Sequence, residues 1–140
     1  MINRLSFFSL LILAACSEEV AAPEPPPNLE GSNWQLVRIT VAGGFEFLPD
    51  DPGKYVLNFR SDNRLTGTSD CNRLTGVWHQ GALNLSFDPF SAGRSLCPPG
   101  SLHNTLALNL RDVSAYKVEG TDLVLTTTVE GVSLEFESRD

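Results

Sequence analysis

FRSDNRLTGTSDCNRLTGVW, residues 59–78, reads as two short strands joined by a polar loop. Ser61, Asp62 and Asn63 form a turn signal, because short polar side chains bond to nearby backbone and Asn tolerates left-handed geometry. Two near-copies follow, Asn63-Arg64-Leu65-Thr66-Gly67 and Asn72-Arg73-Leu74-Thr75-Gly76, and Cys71 stands directly before the second. Gly67 and Gly76 each come two residues after a leucine. Glycine inside a strand marks a bulge or the close approach of another backbone, so both are expected where a sheet curls. A single echo of this length is not a repeat array. It reads as two strands meeting similar demands.

Upstream, residues 54–60 alternate, with Tyr55, Leu57 and Phe59 inward and Val56, Asn58 and Arg60 outward. Asp51-Pro52-Gly53-Lys54 fits a type II turn, Pro setting the second position and Gly the positive φ of the third. Residues 33–41 (NWQLVRITV) read as a strand, with Trp34, Leu36 and Arg38 on one face and Val37, Ile39 and Val41 on the other. Gly43-Gly44 ends it, and residues 45–48 are a short apolar piece. Downstream, residues 76–79 run to a Gln80-Gly81 turn, and 82–87 return with Leu83, Leu85 and Phe87 on one face. Residues 88–100 (DPFSAGRSLCPPG) form a long loop carrying Arg94 and Cys97. Residues 101–111 are the helix candidate, with Ser101 as N-cap and Leu102, Leu106 and Leu110 along one stripe. Leu106, Leu108 and Leu110 equally suit a strand. Strands over 114–118, 123–128 and 132–137 close the chain, turned at Glu119-Gly120 and Glu130-Gly131. The expected fold is mainly β with one helix.

The first residues carry an address. Arg4 supplies a positive charge and residues 5–13 (LSFFSLLIL) an apolar run too short to span a bilayer of about 30 Å. This is the layout of a secretory signal peptide. Leu13-Ala14-Ala15-Cys16 resembles the lipobox of bacterial lipoproteins, which implies cleavage before Cys16 and lipid on that residue; ordinary cleavage after Ala15 is the alternative. Ser17 after the cysteine, by similarity to enterobacterial lipoproteins, implies outer-membrane sorting. The expected divisions are a signal peptide over 1–15, a lipidated Cys16 with a Pro-rich tether over 16–30, and one domain over 31–140. Pro23 and Pro25-Pro26-Pro27 impose extended geometry on the tether, and its Glu residues oppose collapse.

A formal net charge of −7, with no basic patch, argues against a nucleic-acid partner. With Cys16 lipidated, Cys71 and Cys97 are the remaining thiols, and in an oxidising periplasm an even pair is most simply a disulfide. Buried free thiols, or a redox or metal role, are the alternatives. There is no Cys-x-x-Cys, and His79 and His103, the only histidines, show no ligand spacing. No nucleophile with a paired base is visible. We therefore expect no catalytic residues, no metal and no cofactor. Asn72 suits loop backbone, or ligand recognition. Arg73 and Arg94 flank the cysteines; they suit surface ion pairs with Asp70 or Asp88, or an anion site next to the crosslink, since Arg presents a bidentate fork.

Over residues 32–136 the chain resembles the META domain family (HslJ-like proteins). Trp34-Gln35-Leu36, Tyr55-Val56-Leu57-Asn58-Phe59, Gly67 through Cys71-Asn72-Arg73-Leu74-Thr75-Gly76, Arg94 with Cys97, and Leu110, Val113 and Tyr116 carry the likeness. Two positions depart from it: Gly93 stands where the family usually has Thr, and His103 where it tends to have an acid. The resemblance implies a compact, barrel-like antiparallel β domain with one helix, and links to heat stress, antibiotic tolerance, and secretion or motility. The expected function is a lipid-anchored envelope module that binds a protein or small molecule and supports stress tolerance. An inhibitor of an envelope or secreted protease, or a small-molecule binder with a cavity inside the curled sheet, are the alternatives.

Overall fold

The computed structural model describes residues 16–22 and 24–140; the expected signal peptide and Pro23 lie outside the described residues. The hairpin of residues 59–78 forms as its turn residues demand. Asp62 and Asn63 both take φ of 58°, and the Arg64 N–H donates to the Ser61 carbonyl. Two left-handed residues in a tight loop match the twist of the strands they join. The flanking strands are β3 (Tyr55–Phe59) and β4 (Arg64–Ser69), and β4 returns as β5 (Asn72–Gln80).

The sequence echo has a structural meaning. In the β4–β5 register Leu65 faces Gly76, Thr66 faces Thr75 and Gly67 faces Leu74, so each leucine stands across from the other copy's glycine. Both leucines are buried. Each glycine admits a different neighbour. A Cβ on Gly67 would lie 2.1 Å from the Val56 carbonyl oxygen, and one on Gly76 would lie 2.7 Å from the Phe90 Cβ.

The remaining elements are β1 (Asn33–Val41), β2 (Phe45–Phe47), β6 (Leu85–Phe87), β7 (Ser91–Ala92), helix α1 (His103–Leu110), β8 (Val113–Glu119), β9 (Asp122–Thr127) and β10 (Ser133–Ser138). The antiparallel sheet runs β6-β5-β4-β3-β1-β10-β9-β8, with β2 paired to β1 and β7 to β5. Asn84, beside β6, bridges Ala115 of β8, and the Tyr116 N–H donates to the Leu83 carbonyl, which nearly closes the sheet into a barrel. Side chains fill the interior: Leu36, Tyr55, Leu57, Phe59, Leu125 and Phe136 have no exposed surface. Phe59 meets Trp78 edge-on at 5.3 Å between ring centroids, and the Trp78 indole N–H donates to the Arg60 and Arg64 carbonyls.

Several sequence expectations need correction. The register of β1 against β10 shifts between Leu36 and Arg38. That bulge moves Ile39 onto the buried side with Leu36, and turns Arg38 out to pair with Glu46 and Glu135. Val56, expected outward, is buried, because this stretch of β3 is covered on both faces. Leu83 lies outside β6 and is 75 % exposed. Residues 52–54 form a 3₁₀ turn capped by the Asp51 carboxylate, which accepts from the Gly53 N–H; Gly53 has no positive φ, so the turn is not type II. The expected tether runs through residue 30, yet Leu29 is buried in the core.

Candidate functional site

The site is built from β5, the segment after β6, and α1. Cys71 and Cys97 are disulfide-bonded, with Cα atoms 5.5 Å apart. Next to the bond, the buried Asn72 uses its side chain as a peptide group would be used. Its Oδ1 accepts from the Ser95 N–H at 2.9 Å, and its Nδ2 donates to the Ser95 carbonyl at 3.0 Å. Nδ2 also contacts Cys97 Sγ at 3.3 Å. The neighbouring Gly93 N–H donates to the Arg73 carbonyl at 3.0 Å, and β7 pairs with Leu74 and Thr75. Residues 91–97 are thus laced to β5 by main chain and one amide side chain, and to Cys71 just before it by a covalent bond. Gly93 has to be small: a Cβ there would stand 2.5 Å from Asn72 Oδ1.

Opposite this segment lies α1. The buried Tyr55 hydroxyl accepts from the Leu102 N–H at 2.9 Å, and the Ser101 hydroxyl accepts from the His103 N–H at 3.2 Å. Ser101 therefore serves the first turn one residue before Leu102, the residue at the N-cap position. Leu106 and Leu110 are fully buried while Leu108 is 62 % exposed, which decides for the helix over the strand. His103 Nδ1 lies 2.8 Å from the hydroxyl of the buried Ser69, which orients the ring.

Between the two walls is an open groove of about 890 Å³. Arg94, Leu96, His103, Leu108, Phe90 and Arg111 line it, and no carboxylate does. The Arg111 guanidinium stands 5.9 Å from the centroid of the Phe90 ring, within cation–π reach. Phe90 itself rests on the space left by Gly76. Arg94 and Arg111 form no ion pair among the described residues.

The singled-out residues separate clearly. Asn72 is committed to the protein's own backbone, Arg94 lines the groove, and Arg73 is exposed on β5 outside the groove lining. Neither arginine pairs with Asp70 or Asp88; Asp88 lies 2.9 Å from His79 Nε2 instead. Cys16 is exposed. Among the described residues no cluster of side chains has the makings of a metal site. Arg111 and Phe90 were not singled out from sequence. The signal for Arg111 is helical: His103, Ala107 and Arg111 recur every four residues beside the buried leucine stripe. Phe90 gives no local signal, since its place depends on a glycine fourteen residues earlier.

A match to the META domain spans residues 27–140. The chain belongs to the META domain family. No curated protein matches it. Among solved structures, this META domain is similar to a protein from Burkholderia xenovorans determined by NMR, with 23 % identity and a TM-score of 0.67 over 91 % of this chain and 98 % of that one. It is also similar to a DUF4847 family protein from Bacteroides vulgatus, with 15 % identity and a TM-score of 0.56 over 76 % of this chain and 92 % of that one. At these identities the likeness is one of fold. Gly93 and His103 both line the groove: Gly93 makes room for the Asn72 amide, and His103 bonds Ser69.

Proposed function

We propose that this META domain is a binding module of the bacterial cell envelope that offers the groove between residues 90–96 and α1 to a partner, without turnover. The observation that carries the reading is the way the groove is held. One wall is fixed by the disulfide and the Asn72 amide, the other by the Tyr55 hydroxyl, while Leu96 and Leu108 are left 99 % and 62 % exposed at its rim. A pre-organised surface with exposed apolar residues is suited to association, because little ordering entropy is lost on binding. The filled barrel interior favours a ligand taken on the outside over one held within. The Leu13-Ala14-Ala15-Cys16 run supports a lipid on Cys16, and residues 24–28 are exposed, as a spacer from a membrane would be. We place the protein at the outer membrane, facing the periplasm, in envelope tolerance of heat or antibiotic stress.

The test is affinity capture from detergent-solubilised envelope with the parent protein and two variants. Leu108→Glu should lose the captured partner, whereas Phe45→Glu, on β2 and outside the groove lining, should keep it. Equal retention by the parent and both variants contradicts the reading. A protease retained through Leu108 turns it into inhibition of that enzyme.

A further inference from the structure

We propose that the groove takes an extended acidic peptide, added as a strand to the open edge of residues 91–94. The inference rests on the groove being the binding surface and supplies the chemistry of its occupant. In an extended chain the N–H and C=O of one residue point to the same side, and those of the next residue to the other. The Gly93 N–H is bonded to Arg73 on β5, and the Ser95 N–H and C=O are both bonded to the Asn72 side chain. The main-chain groups of Ala92 and Arg94 therefore point away from β5. Among the described residues β7 pairs with no strand other than β5, so that second edge has no strand partner.

The edge faces the groove, which all of residues 90–96 line. Its volume of about 890 Å³ is large for a small-molecule site, near the top of the usual range of about 300–1,000 Å³, and it is open to solvent. An extended segment laid there gains main-chain hydrogen bonds from the edge and sends alternate side chains to each wall, the mode of strand addition. Charge then selects among segments. Arg94 and Arg111 line a groove with no carboxylate, on a protein whose formal net charge is −7. An acidic segment meets this local reversal of sign, while Phe90 and Leu108 receive the apolar residues between its acids. The two guanidiniums match carboxylates in bidentate geometry.

The experiment uses the full-chain protein in detergent and a pool of fluorescein-labelled octapeptides in which Glu alternates with a varied apolar residue. Binding is read by fluorescence anisotropy and by amide shifts of Ala92 and Arg94. The Glu pool should bind, and the same pool with Gln in place of Glu should bind at least about tenfold more weakly, two charge-assisted contacts being lost. Arg94→Gln and Arg111→Gln should each weaken the Glu pool by about fivefold, and about 0.5 M salt should weaken it further. Methylating alternate peptide nitrogens should abolish binding and the two amide shifts. Binding indifferent to that methylation overturns strand addition. If inorganic phosphate, or vesicles of anionic phospholipid, displace the peptides while the Ala92 and Arg94 amides stay unmoved, the groove is a simple anion site and the proposal fails. If the Glu pool does not bind while envelope capture through Leu108 persists, the peptide chemistry is wrong and the groove's role stands. Capture that Leu108→Glu leaves as strong as in the parent removes the groove reading itself.

Discussion

Asn72 supplies with a side chain what the backbone of β5 does not supply at that point. It holds Ser95 by both its N–H and its carbonyl. An Asn72→Ala change removes both bonds and should lower unfolding free energy by about 1–3 kcal/mol, measured by denaturant melts of the oxidised protein. Asn72→Asp keeps the acceptor but sets a carboxylate against the Ser95 carbonyl, so it should fare no better. A loss within error for both would show that the amide is not holding the segment. Titration offers a second residue-scale check. The Lys54 ammonium, 2.6 Å from Asp50, holds that carboxyl below the usual aspartate range, and Asp50 in turn raises the Lys54 pKa. A depressed carboxylate pKa contributes stability that is present above the unfolded value and lost as pH falls through the folded one. For the raised lysine, the contribution is present below the unfolded value and lost as pH rises through the folded one. Both groups are solvated, so the coupling should be plain in an NMR titration of the Asp50 carboxyl carbon and faint in stability. Lys54→Met should move that midpoint up; an unmoved midpoint would contradict the pairing.

At the scale of elements, the β4–β5 hairpin works because its two glycines make room for two different things. Gly67→Ala drives a Cβ into the Val56 carbonyl, a backbone atom that cannot turn aside, whereas Gly76→Ala meets the Phe90 side chain and Cα. Both changes should destabilise by about 1–3 kcal/mol, the first more than the second. Only Gly76→Ala should shift Phe90 and Arg111 resonances at the groove. Equal shifts from both variants would mean that Phe90 is not seated on Gly76. Much of this element was legible in the sequence. Asp62 and Asn63 announce their turn and the glycines announce close approach, while the spacing of Leu102, Leu106 and Leu110 suits the helix that the burial of Leu106 and the exposure of Leu108 decide. What escaped was decided by distant contacts. The bulge after Leu36 inverts the faces of β1 with no local mark. β7 is two residues long and is held by its neighbours' bonds and by an asparagine side chain, so it has no periodicity of its own. At the site, Arg94 is legible because it stands three residues before Cys97, while Arg111 and Phe90 join it only through the fold.

At the scale of the whole molecule, the folded unit begins earlier than its composition suggests. Gln80 donates to the Pro27 carbonyl at 2.6 Å and accepts from the Leu29 N–H at 3.2 Å, and Leu29 is 1 % exposed. Leu29 reads as tether because prolines and acids surround it, and only the core shows where it goes. A chain beginning at residue 31 should be less stable than one beginning at residue 27 by about 1.5–3 kcal/mol, the worth of one buried leucine. Equal melting of the two would mean that Leu29 contributes nothing. The disulfide acts on the same scale. It closes a span of 26 residues, which in the chain-entropy model stabilises the fold by about 3–4 kcal/mol.

The barrel packs around its own core, so loss of the Cys71–Cys97 bond should release residues 90–97 before anything else. That links the crosslink to binding. The direct measurement is photo-crosslinking in cells from a benzoyl-phenylalanine placed at Leu108, in the parent and in the Cys71→Ser/Cys97→Ser variant, at matched levels of folded protein. The expected result is a discrete adduct in the parent that falls about tenfold in the variant, with none from the same probe at Phe45, as for a rigid wall whose release costs binding free energy. An adduct of equal yield in both proteins, or one formed as readily from Phe45, would contradict a groove held in place for a partner.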